Sequence, residues 1–160
     1  MDAIAQRYAA LLELGRETEV TPQLELWGFS KTLSRLGELA YIAAECGDAD
    51  ACVLPDVYHI YKGGSNFEGL GMIEASRMHV FHMNDYPATP NRAEIGDGDR
   101  VYPGDGVAPM KKIIRGLVRN GFTGVLSLEL FNREYWKQDA KVVAETGLRK
   151  MKDAVAAAAE

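Results

Sequence analysis

The chain has 160 residues, a formal net charge of −5, 47% hydrophobic and 26% charged residues, a balance that fits one globular domain and excludes a disordered chain, a collagen-like repeat or a disulfide scaffold. The acidic balance argues against a general nucleic-acid binder, whose affinity comes from clustered Lys and Arg, and no stretch approaches the roughly 18 apolar residues of a membrane span. Cys46 and Cys52 form neither a CxxC pair nor an even disulfide framework, and Asp2 stands where a signal peptide carries positive charge, so reduced thiols and a cytoplasmic location are expected.

From Asp2 to about Leu14, Ile4, Tyr8, Leu11 and Leu12 recur at helical spacing and predict an amphipathic helix. Leu24-Glu25-Leu26-Trp27, closed by Gly28, reads as a strand. Ser30 stands as cap for a following helix that carries Leu33, Leu36, Leu39, Ala40 and Ala43 and stops near Gly47. The unit then repeats. Ala51-Cys52-Val53-Leu54 is the continuous apolar run of a parallel strand covered on both faces, and it ends in Pro55-Asp56-Val57-Tyr58-His59. After the Gly63-Gly64-Ser65 loop, a short helix is expected from Phe67 to Ser76, then a strand over Met78–His82. Residues 88–106, rich in Pro, Gly and Asp, form a long loop, and loops of that length in a compact domain are usually functional. Pro109 opens a helix with Met110, Ile113, Ile114 and Leu117 on one side, ended by Asn120-Gly121. A last strand is predicted over Val125–Phe131, and a last helix from about Asp139.

The pattern is α(βα)₄, an α/β chain of parallel units, and such units become either a doubly wound sheet or a (βα)₈ barrel. The first strand and helix lack the glycine signature of a dinucleotide fold, and Gly96-Asp97-Gly98 lies in the long loop, where Asp97 and Asp99 read as solvated turn residues. An EF-hand fails as well, because Ala108 occupies the place of the closing Glu. A barrel is therefore expected, and a full one needs about 250 residues. The 160 residues are expected to form a single domain that is the C-terminal half of a (βα)₈ barrel.

Charged side chains inside apolar strands are costly to bury unless paired or bound to a cation. Leu24-Glu25-Leu26 and Leu128-Glu129-Leu130 each set a carboxylate between leucines, and the other two strands end in Asp56 and His59, and in His82 and Asp85. In a barrel the C-terminal strand ends converge on one face. Glu25, Asp56, His82 and Glu129 are thus expected to meet as a mixed oxygen and nitrogen site suited to Mn²⁺, Mg²⁺, Co²⁺ or Zn²⁺. His79 reads as a structural residue; Trp27 and Phe131 read as packing residues that could also wall a pocket, and Tyr58 stays open between the two.

At these residues the sequence resembles the xylose isomerase-like barrel family, which includes sugar phosphate isomerases and epimerases. The resemblance spans about Leu24 to Met151 and rests on five segments, namely Leu24–Gly28, Asp56–His59, His82–Asp85, Arg100–Gly106 and Ser127–Phe131. It implies one divalent ion, Mn²⁺ first, held by Glu25, Asp56, His82 and Glu129, with His59 and Arg100 binding substrate oxygens. It also implies isomerisation or epimerisation of a sugar or polyol through an enediolate, with Glu25 and Glu129 as base and acid; dehydration of a keto-inositol is the same enolate chemistry with a different outcome. A non-catalytic half-barrel that binds a metal or a sugar, or serves as an interaction domain, is the alternative from another class. Apurinic endonucleases share the barrel but use a trinuclear zinc site, for which the three histidines are too few. The first half of the family's barrel has no counterpart here, so the expected partner is either that missing N-terminal half or a second copy of the chain.

Overall fold

In the computed structural model, which describes residues 1–160, the first apolar stripe becomes α1 (Asp2–Thr18), with Ala5, Tyr8 and Leu12 on its buried side. α1 runs on past Leu14 and stops where Glu19 takes a left-handed C-cap. Four short parallel strands follow the chain order: β1 (Leu24–Glu25), β2 (Val53–Leu54), β3 (Val80–His82) and β4 (Val125–Ser127). β1 pairs with β2 and β3 with β4, while parallel bridges Val53–Met78 and Asp56–His82 join the two pairs. The outer edges of β1 and β4 pair with no further strand.

The ladders are shorter than the apolar runs that predict them because a ladder needs a neighbour. Trp27 N–H turns back to the Leu33 carbonyl, which ends β1. β4 runs on alongside nothing once β3 stops at His82, so Leu128–Phe131 continue without ladder bonds.

The helices differ from the sequence reading in three places. Ser30 caps only a turn, accepting from Thr32 and Leu33 N–H, and α2 (Leu36–Glu45) is instead started by Glu38 reaching back to the N–H groups of Ser34 and Arg35. The segment after Asp56 is a helix, α3 (Val57–Gly63), capped by the Asp56 carboxylate on His59 N–H at 2.7 Å and ended by Gly64 at φ 80°. Between α3 and β3 the expected helix is two 3₁₀ turns, Phe67–Met72 and Ala75–Arg77. α4 (Met110–Arg119), the short α5 (Arg133–Trp136) and α6 (Ala140–Ala159) complete the chain. No helix is long and apolar enough to cross a membrane.

The core, including Leu39, Val53, Phe81, Met83 and Ile114, lies between strands and helices. The 88–106 loop carries one 3₁₀ turn, Asp97–Asp99, and is tied back to the sheet end by Asp85. Asp85 is buried, and each of its oxygens accepts two backbone N–H bonds, Oδ1 from Tyr86 and Ala108 and Oδ2 from Gly104 and Gly106, at 2.8–3.2 Å. Gly106 has to be glycine for this anchor, since a Cβ there would overlap Asp85 Oδ1 and the Tyr86 carbonyl.

Candidate metal centre

The strands deliver the predicted side chains to one end of the sheet. Glu25 is the last residue of β1, His82 the last of β3, Asp56 the N-cap of α3, and Glu129 lies two residues past β4. One ligand atom from each lies within 4.8 Å of the other three. His82 Nδ1 stands 3.1 Å from Glu25 Oε1, 3.5 Å from Asp56 Oδ2 and 3.6 Å from Glu129 Oε2. That nitrogen is buried and makes no hydrogen bond of acceptable geometry with any of them.

A buried ring nitrogen facing three carboxylate oxygens without a directed hydrogen bond fits a metal site, because a cation at the centre satisfies all four atoms at once. Three oxygens and one imidazole suit a hard to borderline divalent ion. In the metal-free chain the charge is carried differently. Burial disfavours an imidazolium, yet the carboxylates of Asp56, Glu25 and Glu129 outweigh it and push His82 up to about 10. Burial likewise opposes ionisation of Asp56, but His82, His59 and Arg100 beside it hold its carboxyl below the ordinary range.

Asn84, which the sequence reading passed over, orders this cluster. It is fully buried; its Oδ1 accepts from Tyr58 N–H, and its Nδ2 donates to Asp56 Oδ2 at 2.9 Å and to the Glu129 carbonyl at 3.3 Å. One amide thus fixes two ligands and the start of α3, the arrangement by which outer groups aim metal ligands. The signal in the sequence is a pair of short polar residues, Asn84-Asp85, directly after an apolar strand, where burial leaves them no solvent to bond.

The two residues expected at the substrate side lie beside the cluster. Arg100 is 1% exposed, and its guanidinium is stacked between the Tyr58 ring at 4.5 Å and the Phe131 ring at 4.9 Å. It pairs with Glu129 Oε2 at 2.8 Å and with Asp97, and it lies 2.9 Å from His59 Nε2. Asp97 is therefore a wall of the site and not the solvated turn residue the sequence suggests. Gly28 N–H donates to His59 Nδ1 at 3.2 Å. His59 thus faces a donor on each ring nitrogen, and a neutral imidazole accepts at only one. Burial, which disfavours the imidazolium, holds His59 below the ordinary histidine range despite nearby Asp56.

These groups surround a cavity of about 230 Å³ lined by Glu25, Trp27, His59, Arg100, Glu129 and Phe131, with Asp97 at its rim. Trp27 and Phe131 present partly exposed aromatic faces to it. His79 is exposed at the opposite end of β3 and takes no part.

The family model of the xylose isomerase-like TIM barrel matches residues 1–154. An inosose isomerase of Halalkalibacterium halodurans is 28% identical over 137 residues, covering 85% of this chain and 48% of that protein. The inosose isomerase of Bacillus subtilis is 32% identical over 100 residues, covering 62% and 36%. Among solved structures, a crystal structure of an IolI protein with a zinc atom superposes with a TM-score of 0.88 at 25% identity, over 95% of this chain and 55% of that one. An L-ribulose 3-epimerase superposes with a TM-score of 0.72 at 17% identity, which speaks for the fold alone. The chain spans about half or less of the length of these curated relatives.

Proposed function

The chain belongs to the xylose isomerase-like TIM barrel family, and from that premise we propose that it carries the metal-holding half of a sugar or polyol isomerase or epimerase that works through an enediolate, passing a proton to the neighbouring carbon in the first case and to the opposite face of the same carbon in the second. The observation that supports this most is the convergence of Glu25, Asp56, His82 and Glu129 around one buried, unbonded nitrogen. These four residues would hold one divalent ion, Mn²⁺ by the oxygen-rich donor set, with Zn²⁺ its nearest competitor. When bound, such an ion polarises a carbonyl and the hydroxyl next to it and so acidifies the C–H between them.

The chain's own residues supply the rest. Glu25 at the end of β1 and Glu129 just past β4 both face the cavity, so one takes the proton from a carbon and the other returns one, to the neighbouring carbon in an isomerisation or to the opposite face of the same carbon in an epimerisation. Arg100, stacked and buried, offers N–H groups to a substrate oxygen; that oxygen would take the place of His59 Nε2, the contact left short of a proton acceptor. Trp27 and Phe131 suit the C–H face of a sugar ring. On this chain's side of the pocket the one arginine already carries Glu129 and Asp97, and the named relatives are inosose isomerases, which together favour an uncharged keto-polyol such as an inosose.

The complete pocket needs more wall than this chain gives. Leu126, Leu128, Leu130, Trp136, Leu148 and Met151 line an apolar groove of about 680 Å³ beside the open edge of β4. In this reading four further strands and the three helices between them, from a longer protein, cover it and close the barrel, with α1 as the helix at the seam. A second copy fits less well: each copy brings a helix before its first strand and one after its last, and both would claim the same seam.

Two measurements test the reading. In the longer protein that completes the barrel, incubation with an inosose and Mn²⁺ in D₂O is expected to place deuterium on the carbon next to the carbonyl, read by NMR, and Glu129→Gln is expected to lower the exchange rate by about 100-fold or more; exchange that survives in this variant removes Glu129 from the proton transfer. Ion binding must also expel the His82 proton, since the ring is charged below about pH 10 in the metal-free chain. Calorimetry in two buffers of different ionisation enthalpy is therefore expected to show close to one proton released per ion at neutral pH. Affinity should rise with pH until about 10 and level off there; the same proton release and affinity in His82→Ala would mean that His82 is not a ligand.

A further inference from the structure

We infer that Lys62 is a positioning residue, which holds the Arg92–Ile95 turn and through it sets Arg100 and Asp97 against the cavity; the inference rests on the reading that this cavity takes substrate. Asp56, His59 and Lys62 follow one another at intervals of three along α3 and its cap, and so share one side of that helix. The first enters the ligand cluster and the second meets Arg100. The third leaves the site and reaches the loop. Lys62 Nζ donates to the carbonyls of Arg92 at 3.0 Å, Ala93 at 3.0 Å and Ile95 at 2.8 Å. An ammonium has three protons, and all three are used on backbone oxygens. Lys62 has no carboxylate partner, and its Nζ lies 4.7 Å over the Phe29 ring.

The carbonyls belong to a single helical turn. Asn91 O accepts from the N–H groups of Glu94 and Ile95, and Asn91 Oδ1 from Ala93 N–H. One turn is not stable on its own, and its last carbonyls have no partners within it. Lys62 is the cation at that carbonyl end, where the aligned peptide dipoles favour positive charge. Beyond the turn the hydrogen bonds run on without a gap to the site: Ile95 is fully buried, Gly96 N–H bonds to Asp99 Oδ2, and Arg100 N–H to the Asp97 carbonyl. The place of the turn therefore sets the place of Arg100. The lysine stem passes through a slot shaped for it, since a Cβ on Gly28 would come within 2.7 Å of Lys62 Cβ.

The test uses the full 160-residue chain with ¹⁵N-labelled arginine, free of metal. Arg100 Nε is buried between two rings, so its N–H resonance carries a ring-current shift and slow exchange that report on its seat. In Lys62→Met this resonance is expected to move to the position of a free arginine, and the amides from Gly96 to Arg100 to exchange about tenfold faster or more. Lys62→Arg, which keeps a cation with several donors, is expected to restore both. An unmoved Arg100 resonance in Lys62→Met overturns the inference, as does a failure of Lys62→Arg to restore it. If the unmodified chain binds no Mn²⁺, the functional reading falls, whereas the Arg100 resonance still decides the role of Lys62.

Discussion

His82→Ala is expected to reduce Mn²⁺ affinity of the chain by more than about 100-fold, beyond the 10–100-fold typical of losing a supporting residue around a metal. The imidazole is the one nitrogen in the ligand set and its Nδ1 is the atom nearest all three carboxylates. Its removal has a second effect. Three carboxylates then face one another without the group that separates them, and the buried Asp56 loses its closest cationic partner and keeps Arg100, at 3.6 Å, and His59. The metal-free variant should therefore lose the His82 contribution that holds the Asp56 carboxyl low, and Asp56 should keep its proton to higher pH than in the unmodified chain. Calorimetry reads the affinity and thermal unfolding the fold; retention of tight, stoichiometric binding in His82→Ala would move the ion away from this cluster.

Asp85→Ala is expected to destabilise the chain by about 3–5 kcal/mol, the size seen when a buried charge network loses its centre. Near the unfolding midpoint that corresponds to a fall in Tm of roughly 10 °C or more for a chain of this length. Asp85→Asn should recover little of the loss, and the geometry gives the reason. Each carboxylate oxygen of Asp85 accepts two N–H groups. Either orientation of an amide therefore turns its own NH₂ against two donors and leaves them unpaired. Burial pushes the Asp85 carboxyl up, while the four N–H dipoles favour its charged form. If Asp85→Asn unfolds within about 1 kcal/mol of the unmodified chain, the oxygen pair is not what holds the loop.

The sequence shows the order of elements well and their lengths poorly, and both follow from what periodicity measures. Apolar runs such as Ala51–Leu54 report burial, and burial continues past the last ladder bond, so every predicted strand is longer than its ladder. α3 is missed because Val57-Tyr58-His59-Ile60-Tyr61 has the β-branched and aromatic composition of a strand. The bracket of Asp56 and Gly64, a cap at each end, is the signal that marks it as a helix. The four ligands are legible because a charge in an apolar strand is a local anomaly. Asp97 is not, because nothing local distinguishes a loop aspartate in solvent from one folded back onto an arginine. Asn84 and Lys62 act through backbone groups of distant segments, which a linear reading does not place.

Each strand pairs with the one before it in the chain, and the longest-range side-chain hydrogen bond joins residues only 47 apart, Asn120 to Ile73. In its backbone ladder such a molecule resembles a short stack, in which each strand leans on its immediate neighbour, while the ligand cluster at the strand ends draws the first and last units together. It can form progressively as the chain emerges during synthesis, each βα unit seating on the last, and a unit added at either outer strand would extend the stack by the same rule without rebuilding what is already in place.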